Sequence, residues 1–170
     1  MLAGMSYITA PSISLEGRQI WLIHSMPVSA WQVLSAKLHA HLLLVGGPTL
    51  LLTVASLIVL RPSAIYWFLV PFAVFAFAVL VAIFGLCANL KFCNLDWSNE
   101  TVPIKQSAAV FFTMFGSWLA VGVLGLACYL LWGILSPALL LLFSALLLTA
   151  VCGGLLWWLH RRGAKIFDTL

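Results

Sequence analysis

The sequence predicts an all-α integral membrane protein, with four transmembrane helices preceded by a cytoplasmic amphipathic helix-break-helix elbow. Three observations carry that prediction. Of the 170 residues, 64% are hydrophobic and 7% charged, with a mean hydropathy of +1.16, well outside the soluble globular range. The charges are also unevenly spread: 29 residues between Arg61 and Lys91 and 54 between Lys105 and His160 contain no Asp, Glu, Lys or Arg. Finally, the longer of these stretches would make roughly 80 Å of helix against about 30 Å of hydrocarbon, so it holds two spans.

The spans follow in order. The first covers about 40–60, where the apolar run from Leu38 ends at Arg61. The second fills about 64–90. Ser136-Pro137 divides the long uncharged stretch into spans at about 107–133 and 137–159, because proline lacks an amide hydrogen and turns the residue before it away from helix. A transmembrane barrel would need alternating ten-residue segments, which runs such as Leu139–Phe143 do not provide. The organisation is then 1–37 as a cytoplasmic N-terminal segment, 38–160 as the transmembrane region with a cytoplasmic loop at 91–106, and 161–170 as a cytoplasmic tail.

Orientation follows from the basic residues. With the N-terminal segment inside, Arg18, Lys37, Lys91, Lys105, Arg161, Arg162 and Lys165 are cytoplasmic and Arg61 alone lies outside. The opposite topology reverses that ratio. The protein is therefore expected as a multi-pass protein of the cell membrane with both termini cytoplasmic. Trp67 and Trp132 then belong to the outer aromatic belt and Trp157 and Trp158 to the inner one. The sequon Asn99-Glu100-Thr101 faces the cytoplasm and is expected to stay unmodified.

Chemistry-bearing patterns are sparse. Cys87, Cys93, Cys128 and Cys152 form no Cys-x-x-Cys and no metal-ligand spacing with histidine, and read as small packing residues. The spans carry no charged residue of the kind that marks ion coupling, and no nucleophile–base constellation. Thr113, Ser117, Ser144 and Thr149 read as hydroxyls bonded to their own helix backbones. Glycines at 46, 47, 116, 122, 125, 153 and 154 offer places where helices approach closely or bend. Neither an enzyme activity nor a bound cofactor is expected, and nothing points to nucleic acid.

The segment before the first span is the most patterned. Ser14 is placed to cap a helix opening at Leu15-Glu16, and Met26-Pro27-Val28 interrupts the apolar run that follows. Ser29-Ala30-Trp31-Gln32 fits a capping box, after which Trp31, Leu34, Leu38 and Leu42 share one helical face leading into the membrane. Two uses suit this elbow: an anchor on the membrane surface, or a docking element for a cytoplasmic partner.

The run Ser14-Leu15-Glu16-Gly17-Arg18-Gln19-Ile20-Trp21-Leu22-Ile23-His24-Ser25-Met26-Pro27-Val28-Ser29, with Lys37 beyond it, resembles the Ser-Leu-Glu-Gly-Lys-x-x-Trp-x-x-Lys-Ser-Leu-Pro-x-Ser segment of bacterial ABC-type exporter permeases. Asn89-Leu90-Lys91-Phe92-Cys93-Asn94-Leu95-Asp96-Trp97-Ser98-Asn99-Glu100, followed by Lys105-Gln106-Ser107, is similar to a second motif of that family. Cys93 replaces a family proline, and His24 a family lysine. Because family members are several hundred residues long and carry the first motif well into the chain, the resemblance implies the C-terminal part of such a permease.

The resemblance implies a membrane-spanning component of an ATP-driven exporter. ATP would be bound by a separate ABC ATP-binding subunit, and the remaining permease half or a second permease copy would complete the pathway. Glu16, Arg18, Trp21, Pro27, Ser29 and Lys37 become the expected coupling residues. Asp96, Trp97, Glu100 and Lys105 become a second cytoplasmic contact, the alternative being a solvated loop whose tryptophan rests at the bilayer interface. The competing reading of the whole chain is a small membrane scaffold or accessory subunit without a transport path of its own.

Overall fold

The computed structural model describes residues 8–97 and 107–169, and within these the side chains of Arg18 and His24 lie outside the description. Every regular element among the described residues is helical. A tight 3-10 turn at Ser14–Gln19 leads into a short helix α1 (Ile20–His24). Four long apolar helices follow: α2 (Ala30–Leu60), α3 (Tyr66–Lys91), α4 (Ala108–Leu131) and α5 (Pro137–Phe167). Each is long and apolar enough to cross a membrane, so the chain is a four-span, all-α bundle.

Helix ends follow local chemistry. Ser29 caps α2: its Oγ accepts the Gln32 amide at 3.3 Å, while Gln32 Oε1 accepts the Ser29 amide at 2.8 Å, completing the expected capping box. Ser107 caps α4 through the amides of Ala109 and Val110 at 3.1 and 3.4 Å. Pro137 opens α5, at the helix start where its missing amide hydrogen costs nothing. At the far end of α2, Arg61 takes a left-handed conformation with φ 45° and returns its amide to Leu57 O at 2.9 Å.

Gly47-Pro48 lies inside α2 rather than ending it. The helix widens to a π-turn over Leu42–Gly46, and Thr49 Oγ1 donates to Val45 O and Gly46 O at 2.8 and 2.9 Å. A hydroxyl thus occupies carbonyls next to the register shift, in a segment where water is scarce. A second π-turn at Leu159–Gly163 carries α5 past His160, Arg161 and Arg162. As a result, the segment read as a tail at 161–170 continues the helix as far as Phe167, whose ring is buried.

α3 is the central helix, packed against α2, α4 and α5. Its buried residues cluster in the half from Ala76 to Leu90, joined by Leu34 and Leu38 of α2 and Leu148, Cys152 and Leu159 of α5. Gly116 gives α4 its approach to α3: a Cβ there would lie 2.3 Å from the Phe84 ring. A Cβ at Gly122, Gly125, Gly153 or Gly154 would meet nothing within 4 Å among the described residues. Thr113, Ser117, Ser144 and Thr149 each donate to a carbonyl one turn earlier, at 2.7 to 3.1 Å.

One local expectation is corrected. Ser14 does not cap a helix; Ile13 stands at that position and no side chain caps the turn. The Ser14 hydroxyl is taken instead by partners distant in sequence, which outcompete a cap on a single short turn.

Candidate functional site

The site is a junction where residues 9–16 meet the end of α3, the start of α2 and the segment after Lys91. Its centre is Asn89, fully buried near the C-terminus of α3. Asn89 Oδ1 accepts the amides of Ile13 and Ser14 at 2.9 and 3.1 Å, and its Nδ2 donates to Ser14 Oγ at 3.0 Å. Ser14 Oγ also accepts the Asn94 amide at 3.2 Å, and Ser14 O accepts Trp97 Nε1 at 2.6 Å. One serine therefore binds the turn, the central helix and the following loop together.

Lys37 fastens the same turn to α2. Its Nζ donates to Ser12 O at 2.8 Å and forms an ion pair with Glu16 Oε1. The two side chains are 16% and 19% exposed, so this is a largely desolvated contact. Gly17 makes the geometry possible. Its φ of 52° favours glycine, and a Cβ there would press on the Trp97 indole at 3.1 Å. The turn thus folds flat against Trp97.

Cys93 completes the junction, with its Sγ accepting from Ser14 Oγ at 3.8 Å. Burial raises its thiol pKa above the ordinary value; the Ser14 hydrogen bond and the Lys37 charge act against that rise, and the Glu16 charge adds to it.

The expected coupling residues divide into two groups. Glu16 and Lys37 meet each other, and Trp97 joins them through Ser14 and Gly17. Trp21 lies apart, 65% exposed on α1 beside Leu22, and Met26 and Val28 continue an apolar ridge through the break at Pro27. Ser29 serves as the cap of α2, and Asp96 sits on the exposed part of the loop. The Arg18 side chain, Glu100 and Lys105 lie outside the described residues, as does the sequon. Asn89 belongs to the second motif, yet sequence reasoning assigned it no role. The available signal was a lone carboxamide two residues inside the charged end of an otherwise apolar span.

Mechanically, the arrangement ties the elbow to two spans and a loop by directed bonds rather than by apolar contact alone. No protein-family model, curated protein or solved structure matches the chain.

Proposed function

We propose that the chain is a membrane-spanning permease component of an ATP-driven exporter of the ABC type, acting with a separate ATP-binding subunit. The observation that carries this reading is the Ser14–Asn89 junction. The two segments that bear the family resemblance are 75 residues apart, and they meet on one serine. A coupling element must be exposed where it is pushed and rigidly attached where it pushes. The ridge from Trp21 to Val28 supplies the first property, and the bonds of Ser12, Ser14 and Glu16 supply the second.

In this reading the elbow lies on the cytoplasmic side, both chain ends face the cytoplasm, and another permease half or a second copy closes the translocation path. Glu16 acts by holding the elbow on Lys37, while Trp21 and its apolar neighbours face the ATP-binding subunit.

Co-purification with the ATP-binding subunit tests the proposal. Trp21→Ala is expected to weaken association about five- to a hundred-fold, the range for losing roughly 1–3 kcal/mol. Glu16→Ala is expected to weaken it through a loosened elbow, and the exchanged pair Glu16→Lys with Lys37→Glu to restore only the ion-pair share of the loss, because a glutamate at 37 cannot donate to Ser12 O. If Trp21→Ala and Glu16→Ala both keep wild-type affinity, or Trp21→Ala reduces only bilayer association, the elbow is a surface anchor and the coupling role fails.

A further inference from the structure

α2 carries a joint partway along its length. Over Leu42–Gly46 the helix widens to a π-turn that closes with the Gly47 amide on Leu42 O. Gly47 brings no side chain and has open space around it, and Pro48 supplies no amide hydrogen to the ladder. A π-turn, a pair of small residues and a proline are each a sufficient cause of a helix bend, and here they coincide.

The two halves of α2 are held differently. The half next to the elbow, Ala30–His41, places Leu34 and Leu38 in the core, fastens Lys37 to Ser12 and Glu16, and brings His41 Nδ1 to 3.5 Å from Thr9 Oγ1. The distal half, Gly47–Leu60, packs extensively on α3 alone, and within it only Thr49 and Leu57 are buried. Its hydroxyls, on Thr49, Thr53 and Ser56, all donate to carbonyls of α2 itself. Among the described residues, no hydrogen bond or ion pair ties this half to another helix.

The distal half and the start of α3 stand apart around a cleft of about 410 Å³, lined by Thr53, Leu57, Leu60, Tyr66, Val70 and Val74. Beside the joint the helices are in contact again: a Cβ on Gly46 would lie 3.6 Å from the Phe75 ring. The cleft is therefore bounded at one end by the joint.

We propose that α2 is a jointed helix whose distal half swings on residues 42–48, widening and narrowing this cleft while the elbow half stays fixed. Opening breaks no hydrogen bond, because the hydroxyls along the cleft are already satisfied within α2. In a bilayer, acyl chains replace the apolar contact that is lost, so the open and closed positions differ little in free energy. The distal half is 14 residues long, about 20 Å, and a change in bend of about 20° carries its tip roughly 7 Å.

The motion belongs to this chain alone, so its test is independent of the coupling role. The full chain, with its four native cysteines replaced by alanine, is spin-labelled in pairs and reconstituted in nanodiscs for double electron–electron resonance. Ile58→Cys with Leu139→Cys reports the distal half against α5, and Ala40→Cys with Val151→Cys reports the elbow half. The expected result is a distal distribution broader than the elbow one by several ångströms. Gly47→Ala with Pro48→Ala restores an ordinary helix where the added Cβ of residue 47 meets nothing, and should narrow the distal distribution to the elbow width. Gly47→Ala alone serves if the double variant does not fold. Equal widths in the two pairs, or a distal breadth that survives the stiffened joint, would overturn the proposal. So would fast amide exchange throughout residues 51–60, which would mean unwinding in place of a swing.

Discussion

Asn89 holds Ser14 on both sides, its oxygen accepting the serine amide at 3.1 Å while its nitrogen donates to the serine hydroxyl at 3.0 Å. The carboxamide offers an acceptor and a donor in one rigid plane, and the turn at Ser14 presents the complementary pair. Both residues are fully buried. Their neighbours in the fold include the Glu16–Lys37 pair, the Gly17–Trp97 contact and the Cys93 thiol.

Removing that clamp is expected to be costly. Asn89→Leu keeps approximate volume but leaves the Ile13 and Ser14 amides without their acceptor, at about 1–3 kcal/mol for each unsatisfied buried group. Ser14→Ala keeps both amide bonds and strands the buried Asn89 Nδ2, while the Asn94 amide it also releases belongs to an exposed residue that water can reach, so its cost is smaller. Thermal unfolding of the purified protein in detergent should rank wild type above Ser14→Ala above Asn89→Leu. An unfolding midpoint for Asn89→Leu equal to that of wild type would show that the clamp contributes nothing.

Gly17→Ala tests the turn beneath Trp97. A left-handed φ imposes a backbone penalty on alanine, and its Cβ meets the indole, together about 1–3 kcal/mol. In a Trp97→Phe background the steric share should shrink while the backbone share persists. A double-mutant cycle on thermal stability separates them, and zero coupling between the two positions would contradict the packed contact.

The Cys93 thiol provides a pH-dependent readout. Because burial raises its pKa, a smaller fraction is thiolate at any pH near 8 than for an ordinary cysteine, and alkylation is slowed both by protonation and by access. Its rate should keep rising with pH past the point where an exposed thiol levels off. Asn89→Leu, by loosening the junction, should raise the Cys93 rate several-fold at fixed pH, measured with the other three cysteines replaced by alanine. A Cys93 profile indistinguishable from a free thiol would mean that the junction opens in the membrane.

Topology is accessible to single-cysteine labelling with an impermeant reagent. Positions 29 and 165 should react from one side of the membrane and positions 62 and 136 from the other, with the first pair cytoplasmic by the basic-residue asymmetry. Labelling of 29 and 62 from the same side would break the four-span assignment, whereas a uniform reversal of sides would invert the orientation.

The features legible in the sequence are those decided within a few residues. The four long apolar helices follow from uncharged runs longer than a bilayer is thick, and the starts at Ser29 and Pro137 follow from side chains acting on their own first turn. The break at Pro27 is local for the same reason. Ser14 looked equally local, since serine before Leu-Glu is a common helix start, but its hydroxyl had a better offer from Asn89 and Asn94. Only the packing of α3 against the turn brings those groups within 3.2 Å. Likewise, Glu16 and Lys37 lie 21 residues apart and meet because Gly17 folds the turn back over Trp97. Membrane insertion is additive along the chain and can be read residue by residue. Pairing between distant polar groups depends on which helix faces meet and at what height, and that is decided only when the bundle packs.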